Sequence, residues 1–130
     1  MNAAARLAWF VAVGCAAAAT HLAVVVGLVS GGGMLPLAAN VAGWLAAFVV
    51  SFSGHWQLTF RAQRAPLWRS MRRFFAISAA GFAINELAYA GLLRWSGLRY
   101  DLGLALVLVG VAVITYLLSS RWVFLESRPR

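Results

Sequence analysis

The chain has almost no acid, no lysine and a single cysteine, and each shortage removes a class of function. Of its 130 residues only Glu86, Asp101 and Glu126 are acidic; the eleven basic residues are all arginine, and charged residues make up 11%. A soluble domain carries about a quarter, so this composition argues against one. Cys15 stands alone in an alanine-rich run, which excludes a disulfide framework and a metal site built on paired cysteines. There is no Gly-rich phosphate loop ending in Lys-Ser/Thr, no His-Glu-x-x-His and no nucleophile elbow. ATP-driven pumping by this chain alone is therefore not expected. Ser, His and Glu do occur, but on separate segments without a catalytic signature, so the expectation is a protein that is not an enzyme and needs no cofactor and no metal.

What is abundant is apolar surface, 63% of the residues. Leu7 to Val29 runs for 23 residues without a formal charge, and such a helix reaches about 35 Å, enough for a hydrocarbon core of about 30 Å. A cleaved signal peptide is the rival reading, because Arg6 precedes the run and Ala16 to Ala19 are small, but the apolar stretch is too long for one. Gly31, Gly32 and Gly33 break the helix, and Pro36 suits the first turn of a second span, Pro36 to Leu58. A basic loop over 60–73, whose second half has amphipathic character, leads to a third span, Phe74 to Leu93. The connector Arg94 to Asp101 precedes a fourth, Leu102 to Phe124. The prediction is an all-α polytopic membrane protein, one domain over 1–130 with four transmembrane helices.

Arginine placement orients it. Arg6, Arg61, Arg64, Arg69, Arg72, Arg73, Arg121, Arg128 and Arg130 fall on one side and only Arg94 and Arg99 on the other, and nine against two places both termini and the loop in the cytoplasm. Clustering between apolar runs also argues against nucleic acid, and phosphate-bearing anionic lipids are the expected partners. Trp9, Trp56, Trp95 and Trp122 lie near span ends, where an indole suits the interface.

Two hairpins that both start and finish in the cytoplasm invite comparison. Ser51 to Phe60 and Thr115 to Phe124 share a hydroxyl, an aromatic and a terminal Phe in register, and Thr20-His21-Leu22 aligns with Asn85-Glu86-Leu87. Such a correspondence suggests a parallel repeat, an arrangement found among transporters whose sites lie between the halves.

Polar residues inside the spans are the candidate functional groups. Glu86, near the middle of span three, costs about 2.5–3.5 kcal/mol on insertion scales and must face protein, water or a partner. Asn85, Ser78 and Tyr89 share its helix at helical spacing, and His21, in span one, is its candidate partner. Asn40, Ala47, Ser51 and His55 mark one face of span two, with Thr115 and Ser119 a shorter counterpart on span four. Ala39, Gly43 and Ala47 repeat every four residues, a spacing that lets membrane helices approach closely.

The stretches Ser53-Gly54-His55-Trp56-Gln57-Leu58-Thr59-Phe60-Arg61 and Ser119-Ser120-Arg121-Trp122-Val123-Phe124 resemble the helix ends of the GtrA-like family, of the type Asn-Arg-x-Trp-Thr-Phe. That family consists of four-span proteins of about this length, associated with moving polyprenyl-phosphate-linked sugars across the bacterial inner membrane. The resemblance implies translocation of such a lipid-linked sugar, with Arg61, Arg72, Arg73 and Arg121 capturing the phosphate and Asn40, His55, Asn85 and Glu86 contacting the sugar or gating its path. Two other classes stay open: a membrane scaffold for a glycosyltransferase partner, and a small multidrug-type antiporter, which would place its glutamate in the first span rather than the third. Four short helices leave little room for an enclosed path, which points to a homodimer or larger assembly.

Overall fold

The computed structural model describes the backbone of residues 2–59 and 66–125, and the side chains within that range except those of residue 3 and of residues 114–125. The described residues form four helices and no strand: α1 (Ala3–Val26), α2 (Pro36–Gly54), α3 (Leu67–Trp95) and α4 (Tyr100–Leu125). A π-helical turn prolongs α1 over Gly27–Gly31 and α2 over His55–Thr59. The stretches Ala4–Gly31, Pro36–Thr59 and Leu67–Trp95 are each long and apolar enough to cross a bilayer, and α4 is apolar over Tyr100–Val113. The chain is a multi-pass, four-helix membrane protein.

Local sequence explains the boundaries. The side chain of Asn2 caps α1 by accepting from the Ala5 backbone N–H at 2.8 Å. The chain stays helical through Gly31, further than the glycine run suggested, and the break falls at Gly33, whose φ of 65° only glycine adopts at no cost. Pro36 takes the first position of α2, where its missing N–H loses nothing. Gly97, also at φ 65°, turns the chain from α3 into α4. There the Asp101 carboxylate accepts from the Leu102 backbone N–H at 2.9 Å and pairs with Arg99 at 2.8 Å. Those contacts, the backbone N–H foremost, hold its carboxyl below the usual carboxylate range.

The largest difference from the sequence expectation is at α3, which begins at Leu67 inside the expected loop. Leu67, Met71, Phe74 and Phe75 continue an apolar stripe at helical spacing through the arginines, so the helix continues with them. A helix of 29 residues measures about 43 Å, so its first two turns, carrying Trp68, Arg69, Arg72 and Arg73, extend past a hydrocarbon core of about 30 Å.

Each helix packs on its neighbours in sequence and α1 also meets α4, closing a four-helix ring in which α1 with α2 is the most extensive interface. On α1 the buried residues are Val13, Ala17, His21 and Val25, one every four; on α2 they include Ala39, Gly43 and Ala47. A Cβ on Gly43 would lie 2.6 Å from His21 Cδ2 and 2.9 Å from the His21 carbonyl oxygen, and one on Gly54 would lie 2.7 Å from Val13 Cγ1. The two helices are thus in backbone-level contact through glycine.

Between α2 and α3 the contact is aromatic. Trp44 stacks on Phe82 with ring centroids 4.7 Å apart and donates its Nε1–H to Ser78 Oγ at 2.9 Å. Phe48 and Phe52, one and two turns on, meet Phe74 and Phe75. Membrane side-chain hydrogen bonds average about 0.6 kcal/mol. Ser78→Ala is accordingly expected to lower stability by about that amount, read as a small shift in detergent unfolding, because the stacked rings remain.

The core of fully buried apolar residues, Val25, Ala39, Tyr89, Leu104 and Val107, lies toward the end where α1 finishes and α4 starts. Tyr89 donates its hydroxyl to the Tyr100 carbonyl oxygen at 2.9 Å, and Ser30 hydrogen-bonds the Tyr100 hydroxyl. The opposite, basic end carries Arg69, Arg72 and Arg73 at the start of α3.

Candidate functional site

Inside the bundle, roughly a turn below that core, four polar side chains from three helices converge. His21 Nε2 lies 2.6 Å from Asn40 Oδ1 and donates to it. Asn40 Nδ2 donates to Asn85 Oδ1 at 3.0 Å and to Glu86 Oε2 at 2.5 Å. Asn40 is fully buried, His21 and Asn85 nearly so, and Glu86 half-buried. Asn40 uses its acceptor and both amide hydrogens here, so it is satisfied without water. Unpaired, each group would be costly in an apolar interior; joined, they form a hydrophilic patch that α1, α2 and α3 must each supply. The anticipated pairing of His21 with Glu86 is therefore indirect, with Asn40 standing between them.

The junction sits where it does because α1 and α2 touch at Gly43. That close approach brings the α1 backbone against α2 one turn from Asn40, within reach of the His21 ring. Any larger residue at 43 would move the ring out of hydrogen-bonding distance.

A second station lies at the basic end. Phe48, Trp68, Met71, Arg72 and Phe75 line an open groove of about 360 Å³, and Trp68, Arg69, Arg72, Arg73 and Ala76 line an adjoining one of about 450 Å³. Trp68 and Arg72 belong to both, so an apolar trough runs into a basic one. The first turn of α3 contains no acid, so the partial positive charge of the helix N-terminus adds to that of Arg69 rather than being cancelled. Three exposed arginines on one helix start form an anion-attracting surface.

The structure thus brings together His21, Asn40, Asn85 and Glu86, and separately Arg72 and Arg73. Fourteen residues of α3 separate Arg72 from Glu86, which is about 21 Å of helix. His55 is not with the junction. It lies at the basic end, in the π-helical turn that ends α2, with Nδ1 3.1 Å from Thr59 Oγ1 and its ring stacked on Phe10 at 4.9 Å and edge-on to Phe74. Of the face expected along span two, Asn40, Ala47 and His55 are buried and Ser51 is half-buried, and Gly43 beside it packs against α1. Arg61, and the side chains of Thr115, Ser119 and Arg121, lie outside the described residues.

From sequence, Trp68, Met71 and Phe75 are not assigned to a groove, nor Trp44, Phe48 and Phe52 to a helix contact. Trp44, Phe48, Phe52 and Trp56 recur every four residues, a helical stripe that could have been read as a contact face.

Residues 9–124 match the family model described as the GtrA/DPMS transmembrane domain. The chain belongs to that family. No curated protein and no solved structure matches it. In this GtrA/DPMS-type domain the matched region takes in both stations, with the polar junction between α1, α2 and α3 and the arginine-bearing start of α3.

Proposed function

We propose that this chain moves a polyprenyl-phosphate-linked sugar across the bacterial inner membrane, with both termini in the cytoplasm, in support of cell-surface polysaccharide modification. The observation that carries the reading is the polar junction of His21, Asn40, Asn85 and Glu86, set inside an apolar bundle and away from the basic groove. Family membership supports a role with lipid-linked sugars.

The physics matches the residues. A prenyl tail gains about 0.8 kcal/mol per buried CH₂ and does not leave the bilayer, so only the phosphate and sugar need help. The apolar trough suits the head-proximal end of the tail, and Arg72 and Arg73, with Arg61 and Arg121 completing the set, suit the phosphate as charge-assisted donors. His55 stands beside this mouth as a gate residue. Asn85 and Glu86 offer amide and carboxyl partners for sugar hydroxyls further in, held by Asn40, whose own hydrogen bonds stay within the junction. Because the stations are about 21 Å apart along the helix, the head group is handed from one to the other rather than held by both.

Charge reversal of Arg72 and Arg73 together should lower transport of a labelled lipid-linked sugar in proteoliposomes at least about tenfold, the loss of charge-assisted contacts plus repulsion, with protein abundance unchanged. Reversal of Arg121 is expected to act in the same direction. Unaltered transport in both would remove the arginines from the mechanism. If the purified wild-type protein relocates no lipid-linked sugar yet co-purifies with a glycosyltransferase, the scaffold role replaces this one.

A further inference from the structure

A sugar needs hydrogen bonds, and amides alone would supply them. The junction instead holds two groups that change charge near neutral pH or in apolar surroundings, an imidazole and a carboxyl, joined through one amide. Asn40 Oδ1 is an acceptor, so His21 Nε2 at 2.6 Å carries its hydrogen and Nδ1 is left as the basic nitrogen of the ring. Asn40 Nδ2 donates to Glu86 Oε2 at 2.5 Å, so that oxygen accepts and the carboxyl's other oxygen is the position for a proton. The amide connects two proton sites on different helices without titrating itself.

Among the described residues the other ionisable groups lie further off; on α3 Arg94 is eight residues beyond Glu86, about 12 Å along the helix. On α1 the remaining titratable group is the exposed Cys15, apart from Arg6 at the helix start. On α2 the nearest is His55, fifteen residues from Asn40 and so about 22 Å away along the helix. On α3 Tyr89 lies one turn from Glu86 and gives its hydroxyl hydrogen to the Tyr100 carbonyl. On the described part of α4 the ionisable residues are Tyr100 and Asp101 at its start, the latter paired with Arg99. A lone charge is disfavoured in such surroundings. A proton gained by the junction as an anion enters offsets that anion's charge.

We infer that His21, Asn40 and Glu86 form a proton-binding site that takes up one proton for each singly charged anionic lipid head group entering the bundle, so that head group and proton occupy the apolar interior as a neutral pair. The proton comes from water, joins the Glu86 carboxylate, and returns to water when the head group leaves; no bond in the lipid is made or broken. The inference rests on the proposed function for its ligand, a phosphodiester-type anion, but not on movement across the membrane.

The test measures proton uptake on binding. Purified protein in zwitterionic-lipid nanodiscs, weakly buffered near neutral pH with a soluble pH dye, is titrated with a long-chain phosphodiester lipid while binding is followed separately. The expected result is about one proton taken up per lipid bound, none with added zwitterionic lipid, and a rise in the infrared band of protonated carboxyl. In folded Glu86→Gln the protons taken up per bound lipid should fall roughly fivefold or more, because the amide keeps the hydrogen bond but cannot titrate. Should that variant not fold, the wild-type ratio and infrared band decide. Binding without proton uptake overturns the inference, as does uptake undiminished in folded Glu86→Gln. No binding of the lipid overturns it together with the proposed function. Binding with proton uptake but no transport in proteoliposomes upholds this site and sinks the transport reading alone.

Discussion

Asn40→Leu is expected to be among the most damaging single substitutions in the chain. It removes three hydrogen bonds at once. At about 0.6 to 1.7 kcal/mol each inside a membrane, the loss is about 2–5 kcal/mol. It also strands Glu86, whose carboxyl then has no described partner, and an uncompensated buried group costs more than the bond it lost. The check is denaturant unfolding in mixed micelles. Adding Glu86→Leu to the Asn40→Leu background should recover part of the stability, since the second change removes the group the first left unpaired. A double variant as unstable as the sum of the two singles would show that these side chains are not coupled.

Gly43→Leu acts through shape instead. Even the first added carbon would sit 2.6 Å from His21 Cδ2, 2.8 Å from Val25 Cγ2 and 2.9 Å from a backbone oxygen of α1, and backbone cannot rotate aside. Overpacking of this kind costs about 1–3 kcal/mol in a well-filled core, and parting the helices would also break the His21–Asn40 bond. The expected outcome is a protein that accumulates poorly and unfolds well below the wild type in a thermal scan. Gly14 supplies the contrast on the neighbouring helix: nothing lies within 4 Å of a Cβ there, so Gly14→Ala should be neutral or stabilise by up to about 1 kcal/mol through helix propensity. Equal effects of alanine at 14 and 43 would contradict the close approach.

Much of this architecture was legible without coordinates, and the reasons are specific. A bilayer demands long uncharged runs, so Leu7 to Val29 and Pro36 to Leu58 announced themselves as helices, and Pro36 marked a start. The arginines at 69, 72 and 73 obscured the start of α3, because charge was weighted above the stripe of Leu67, Met71, Phe74 and Phe75 that continues beneath them. Within the site, His21, Asn40, Asn85 and Glu86 were each conspicuous as polar residues in apolar surroundings. Their meeting on Asn40 was not, because sequence spacing fixes angles around one helix but not the rotation of one helix against another. That rotation is decided by glycine contact at Gly43. His55 was grouped with Asn40 because fifteen residues of helix keep both on related faces, although the same fifteen residues put them at opposite ends. The aromatic contact of Trp44, Phe48 and Phe52 with α3 is not legible in the same way, because apolar rings inside an apolar span do not stand out from their surroundings.

The unequal interfaces have a mechanical consequence. α1 and α2 are joined at glycine, whereas α2 and α3 are hydrogen-bonded through Asn40 and Trp44 and, nearer the basic end, meet among the described residues through the rings of Phe48, Phe52, Phe74 and Phe75, and α4 is fastened near Tyr100. The molecule is therefore built like a book, with one stiff double cover and a second cover stitched to it along its tyrosine half. Opening such a book spreads the pages at the unstitched edge, where the arginines are, and leaves the stitching as the last thing to yield.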